Sequence, residues 1–196
     1  MDMLMVTAHP DPGSFCHAVS AAAKAGLERA GHHVTQLDLY AIGFEPAMGV
    51  DEHRAYMSRV PSPDEVARQH GELLRSVTGL VFVYPTWWSG PPAVLRGWLE
   101  RVFVPGVAFD FDDNGKLRPG LTHIRRIIGI STYGSPWSYV KIVNDNGRRM
   151  LMRALRLNCG WRTSTTWLGL YSIDTTGDNE RRAFLDRVGH TMANVK

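Results

Sequence analysis

Gly79-Leu80-Val81-Phe82-Val83-Tyr84-Pro85-Thr86-Trp87-Trp88-Ser89-Gly90-Pro91-Pro92 is the stretch whose reading decides the fold. Residues 79–83 form a short continuous apolar run, the pattern of a strand covered on both faces. Residues 93–103 then carry apolar side chains at helical spacing. Pro92 suits a first helical turn, where its missing N–H has no intrahelical partner to lose. The connecting loop therefore sits at the carboxyl end of a strand, where open parallel sheets bind ligands. Two adjacent tryptophans between prolines are costly there unless they cover something flat and apolar.

The same alternation runs along the chain. Strands are expected over 3–8, 34–39, 80–84, 126–131 and 163–170. Helices are expected over 14–30, 63–75, 92–103, 146–157 and 179–193, the first carrying Phe15, Val19, Ala22, Gly26 and Ala30 on one stripe and stopping at Gly31. A loop through Gly43, Pro46 and Gly49 is expected between the second strand and the second helix. Successive βα units imply an α/β fold with a doubly wound parallel sheet of five strands and helices on both faces. The Rossmann order needs G-x-G-x-x-G after the first strand. That loop here is His9-Pro10-Asp11-Pro12-Gly13-Ser14-Phe15, with a single glycine, so the flavodoxin-like order 2-1-3-4-5 is favoured.

Composition narrows the function classes. One domain over 1–196 is the expectation for 196 residues that are 44% hydrophobic and 21% charged. No apolar run approaches the about 18 residues of a membrane span. The first residues lack the basic start of a signal peptide, and Cys16 and Cys159 are too few for a disulfide framework, so a cytoplasmic protein is expected. The formal charge of +3 and the pairs Arg125-Arg126, Arg148-Arg149 and Arg181-Arg182 read as solvated element ends rather than a nucleic-acid surface. Residues 110–116 space acidic side chains like a calcium loop but lack its twelfth-position glutamate, and read as a turn-rich excursion. The eight histidines show no metal-ligand spacing, so no metal is expected.

Three loops fall on the same edge of such a sheet. After the first strand, Ser14 is placed to cap a helix whose free N–H groups and dipole attract an anion, with His9 beside it. After the third come the indoles. After the fourth, Ser131-Thr132-Tyr133-Gly134-Ser135-Pro136 offers small residues and backbone donors. Phosphate site, apolar bed and backbone donors are the needs of a flavin nucleotide.

The chain resembles the NAD(P)H:quinone oxidoreductases of the flavodoxin-like fold, the DT-diaphorase type. The resemblance rests on His9-Pro10…Ser14-Phe15-Cys16-x-Ala18, on Tyr84 through Trp88 and onward to Arg96-Gly97-Trp98-Leu99-Glu100-Arg101-Val102-Phe103, and on Ser131-Thr132-Tyr133-Gly134-Ser135. It implies a bound flavin, FAD with FMN as the alternative. It also implies hydride transfer from NADH or NADPH, two-electron reduction of a quinone-like acceptor in ping-pong order, and a homodimer. The group also includes ancillary subunits of potassium-efflux systems, which supplies an alternative: a flavin-binding regulatory subunit.

Carried over position by position, the resemblance places His9, Ser14, Phe15 and Cys16 around the flavin phosphates. The family usually has Asn where Cys16 stands. Pro85, Thr86, Trp87 and Trp88 match the loop under the flavin ring, with Trp88 as pocket wall and Trp87 acting through its backbone. Thr132, Tyr133 and Gly134 match the loop facing the pyrimidine side, where Tyr133 replaces a glycine and implies a narrower pocket. Tyr139 matches a tyrosine that donates a proton or hydrogen bond. Its histidine partner in mammalian members falls near Asn144 or Asp145, and no histidine stands there. Trp98, Leu99, Val102 and Phe103, with Trp161, Trp167 and Tyr171, read as core or dimer contact.

Overall fold

A parallel sheet runs through the computed structural model, which describes residues 1–56 and 62–196. Its strands are β1 (Asp2–Thr7), β2 (His33–Asp38), β3 (Gly79–Thr86), β6 (Arg126–Tyr133) and β7 (Ser164–Leu170), in the order β2-β1-β3-β6-β7. Counted within this sheet alone, that is 2-1-3-4-5, the flavodoxin-like order; the Rossmann alternative is excluded.

Period-two side-chain alternation splits the core into two halves. Leu4, Val6, Leu80, Phe82, Tyr84 and Ile127 face one side. There they meet α3 (Glu65–Ser76), α4 (Ala93–Val102) and the helical run from Asn146 to Cys159. Met3, Met5, Val81, Val83, Ile128 and Ile130 face the other side, covered by α1 (Phe15–Arg29) and α8 (Asp178–Ala193). Each such side chain removed from water contributes about 1.5–3 kcal/mol. Trp98 and Val102 are fully buried, as expected of core, whereas Trp161 is 98% exposed. The helices α1 and α8 approach so closely that a Cβ on Gly26 would stand 2.6 Å from the carbonyl oxygen of Gly189.

The helices begin where their caps say they should. The Ser14 hydroxyl accepts the His17 N–H at 3.4 Å, and Asp64 Oδ1 accepts the Ala67 N–H at 2.8 Å. The Asp64 cap moves the start of α3 to Glu65, two residues later than the polar pattern implies. Gly31, at φ +81°, closes α1.

Several elements depart from the sequence-based expectation. Short helices α2 (Val50–Ala55) and α5 (Trp137–Ile142) occupy stretches expected as loop. Each has six residues, too few to show a period, and α5 buries only Val140. The excursion over 110–116 is the turn of an antiparallel hairpin, β4 (Phe109–Phe111) with β5 (Leu117–Pro119). Asp112 Oδ1 accepts the Asn114 and Lys116 N–H groups, and Oδ2 accepts from Arg118 at 2.6 Å, so this carboxylate holds the turn. The expected helix over 146–157 is α6 (Asn146–Arg149), a π-helical segment Met150–Leu155 and α7 (Arg156–Cys159). Finally, β3 and β6 extend further than their apolar runs. Pro85 pairs with Thr132 and Thr86 with Tyr133, so these four residues belong to strands rather than loops.

One buried charge ties down the segment that crosses α4. Arg101, 5% exposed, binds Glu52 of α2 through Nε at 2.9 Å and the α3 cap Asp64 through Nη2 at 2.9 Å, and also donates to the carbonyl of Glu45. Burial works against its charge, but Glu52 and Asp64 outweigh this and hold its pKa above the ordinary value. Removing one partner of a buried pair leaves the others uncompensated. Arg101→Ala is expected to cost about 3–5 kcal/mol in urea unfolding. A loss under about 1 kcal/mol would place this network among ordinary surface pairs.

Candidate functional site

The carboxyl edge of the sheet is built by the ends of β1, β3, β6 and β7. After β1, the Asp11 side chain accepts the Gly13 N–H at 2.8 Å and shapes the turn into α1. His9 Nδ1 accepts the Asp11 N–H at 3.1 Å, which leaves Nε2 as the ring's free donor when neutral. The hydroxyl of Ser14 is already engaged: it lies 3.1 Å from His17 Nδ1, while His17 Nε2 donates to Asp38 Oδ2 at 2.9 Å. Ser14 therefore offers an anion its place at the helix start more than its hydroxyl. Phe15 packs against Phe184 and beneath the Arg181 guanidinium. The thiol of Cys16 is buried in the core under α1, where burial first and then the charge of Asp38 push its pKa up to about 12.

After β3 the chain makes a tight reversal. Trp87 N–H donates to the Gly90 carbonyl at 2.9 Å, and Gly90 N–H donates back at 3.0 Å. The two residues between them, Trp88 and Ser89, hold φ of 48° and 60°. This is the geometry of a two-residue hairpin turn, which favours Asn-Gly. A bulky residue held there stores about 1–3 kcal/mol of strain, of a kind that gathers at functional sites. The Trp88 indole is fully solvent-exposed. Trp87 leans on the His9 ring, 5.8 Å between centroids, which joins the first loop to the second.

The ends of β3 and β6 are tied by the Thr86 and Ser131 hydroxyls at 2.8 Å. Beyond β6, Gly134 lies against Asp174: a Cβ there would stand 2.8 Å from Oδ2. A cleft of about 280 Å³ opens here, lined by Thr86, Trp88, Gly134, Tyr139, Val140 and Asp145 among others. Trp88 and Tyr139, both read from the sequence as pocket residues, share this cleft, and among the described residues the Tyr139 hydroxyl has no protein partner.

Tyr133 does not fill the mouth of the cleft. Its ring is buried, stacked on Tyr171 at 4.6 Å, and its hydroxyl donates to Asp145 Oδ1 at 3.0 Å. The carboxylate at the position considered as a partner for Tyr139 is thus bonded to Tyr133 instead. Asn144 and Asp145 both have left-handed backbones, at φ 78° and 42°, which turn the Asp145 side chain toward the sheet. Burial raises the pKa of Asp145, against the opposing pull of the Tyr133 hydrogen bond and of Arg148. Burial and the Asp145 charge together raise the pKa of Tyr133 and Tyr84. Among the described residues the buried Tyr84 hydroxyl, beside Gly147, has no hydrogen-bond partner. His17, Asp38 and Asp174 escaped the sequence reading as site residues, while Ser131 was read as part of the small-residue loop and Tyr171 as core or dimer contact. The first three belong to the site by contacts across the fold, and of them only the position of Asp38 at the end of β2 carried any signal.

A family profile described as the flavodoxin-like fold matches residues 1–183. The chain belongs to this flavodoxin-like family. Within it, the human (Homo sapiens) ribosyldihydronicotinamide dehydrogenase (quinone) is 32% identical over 170 residues, covering 76% of this chain and 71% of that protein. The mouse (Mus musculus) protein of the same name is 27% identical over 207 residues, covering 93% and 87%. A solved NAD(P)H:quinone oxidoreductase from Methanothermobacter marburgensis superposes with a TM-score of 0.85 at 26% identity, over 99% of this chain and 96% of that one. The resemblance to quinone oxidoreductases carried by the strings around Trp88 is borne out by these flavodoxin-like relatives.

The raised pKa of Asp145 has a stability consequence. A carboxyl whose folded pKa lies above its unfolded value favours the fold when protonated and loses that contribution as pH rises through the folded value. Asp145→Asn keeps an acceptor for Tyr133 without the charge. Its melting temperature relative to the parent is expected to climb between about pH 3 and about pH 7. A difference that stays flat or falls over that window would mean the carboxylate is not penalised.

Proposed function

We propose that this protein is a flavin-dependent NAD(P)H oxidoreductase that reduces quinones or related small electrophiles by two electrons. The observation that carries the reading is the convergence on one sheet edge of an anion-attracting helix start, a strained exposed indole and a small-residue loop. The quinone-dehydrogenase names of the relatives support the same class, whereas the transporter-subunit alternative has no comparable support.

The residues present fit a flavin. Gly134 leaves backbone exposed where any Cβ would meet Asp174, and the Trp87–Gly90 reversal presents main chain beside an apolar ring. FAD is the proposed cofactor, with FMN as the alternative; when bound, it takes hydride from NADH or NADPH and passes it to the acceptor. The start of α1 at Ser14, Phe15 and Cys16 supplies N–H groups and dipole for phosphate, with His9 Nε2 as a further donor. Pro85, Thr86 and the backbone of Trp87 form the bed, kept in place by the Thr86–Ser131 hydrogen bond. Trp88 walls the acceptor side and excludes water. Backbone N–H groups of Thr132, Tyr133 and Gly134 stabilise negative charge on the pyrimidine side. Tyr139 donates a hydrogen bond from its free hydroxyl into the cleft. Residues 1–196 are taken as one domain acting in the cytoplasm as a homodimer, which exposed Leu157 and Trp161 favour. Among the described residues no helix is long and apolar enough to cross a membrane.

The purified protein is expected to be yellow, and the mass of the flavin released on denaturation decides between FAD and FMN. A colourless protein that takes up neither would end the proposal. Trp88→Ala is expected to lower kcat/KM for quinones about tenfold, the loss of about 1.4 kcal/mol of transition-state contact, while leaving flavin occupancy unchanged. Unaltered turnover would remove Trp88 from the acceptor wall.

A further inference from the structure

A second groove, of about 490 Å³, runs beside the cleft and shares Val140 and Asp145 with it. Lys141, Arg148, Arg149, Arg153 and Arg156 line it, against Asp145 as its one carboxylate. Elsewhere in the fold several arginines meet acidic side chains, among them Arg68, Arg96, Arg101 and Arg118, and others, such as Arg29 and Arg75, donate singly to backbone carbonyls without clustering. Among the described residues none of the five groove cations has a carboxylate partner within ion-pair distance. The helical run 146–159 concentrates them, because the π segment widens the turn that carries Arg153. Repulsion among so many unpaired like charges is unfavourable unless an anion relieves it. The groove also has aromatic walls, Trp137 and Tyr171, with Lys141 Nζ 4.9 Å above the Trp137 ring.

Unpaired guanidinium groups beside the exposed Trp137 ring and the half-buried Tyr171 ring match a molecule with several phosphates and a flat base. The placement also separates two anionic sites. The start of α1 lies on the β1 side of the cleft, whereas this groove lies on the β6–β7 side. We propose that the groove binds the adenosine end of NADPH, its arginines holding the 2′-phosphate and pyrophosphate, so that NADPH is the preferred hydride donor. This rests on the oxidoreductase reading above. The nicotinamide end then reaches the cleft through the boundary formed by Val140 and Asp145, while NADH, lacking the 2′-phosphate, leaves part of the cationic lining uncompensated.

The test uses the flavin-loaded protein, the double variant Arg149→Ala/Arg153→Ala and the charge reversal Arg153→Glu. The KM for NADPH is expected to rise about tenfold or more, as for loss of a charge-assisted hydrogen bond, with a smaller rise for NADH, which shares the pyrophosphate but lacks the 2′-phosphate, and with kcat unchanged. Calorimetry supplies a readout independent of turnover. Adenosine 2′,5′-bisphosphate is expected to bind the parent protein about tenfold more tightly than AMP, and the variants are expected to lose that difference. Equal rises in KM for both donors, or equal binding of the two adenosine probes by the parent, would overturn the proposal. If neither donor is turned over, the oxidoreductase reading fails, and the calorimetric comparison alone decides whether the groove recognises the 2′-phosphate. Unchanged circular dichroism of the variants separates lost recognition from lost folding.

Discussion

The requirement that a parallel sheet be covered on both faces governs most of this molecule. The central strands alternate their side chains into two separate cores, and helices must close over each. With both faces sealed, the carboxyl edge is where chain can leave the sheet without exposing it. The pairing of β3 with β6 runs to Thr86 and Tyr133, so two of the bordering loops begin at one level. The cleft is a consequence of that shared level: its floor is the last rung of the ladder, and its walls are what the chain does next.

Charge is distributed unevenly around this frame. Arg101 is buried and matched, and the matching fastens α2, the start of α3 and α4 together. Asp145 is half-buried among tyrosines, with its neighbouring guanidinium at the rim. The first arrangement gives rigidity, since every member has a partner of opposite charge. The second holds a carboxylate where burial disfavours it, next to a run of cations with no acids of their own. Such imbalance is costly for folding, and it coincides with the part of the surface nearest the cleft.

The strand order and the placing of the indole-bearing loop at the carboxyl edge of the sheet were legible because they rest on local signals: apolar runs, a missing glycine fingerprint, and indoles after a strand. The string from Tyr84 to Phe103 carried the family as well. Less was legible where contacts join distant segments. Nothing near Tyr133 announces that its hydroxyl meets Asp145, or that its ring lies on Tyr171. The Ser14–His17–Asp38 chain spans α1 and the end of β2, so neither end looks informative alone. Arg148-Arg149 read as solvated helix ends because a charge pair has no direction in sequence. The groove exists only once α5, too short to show a period, folds beside the π-helical turn.

The reversal at Trp88 and Ser89 carries an implication for how the chain can change. Asn-Gly in those two places would suit the left-handed backbone far better, and such replacements commonly gain a protein a fraction of a kcal/mol to about 2 kcal/mol. Selection for durability alone would erode the exposed indole quickly, since nothing in the fold needs it. On the role proposed for Trp88, a lineage that keeps the tryptophan trades robustness for activity at this corner, and thermal adaptation of the protein would have to proceed elsewhere.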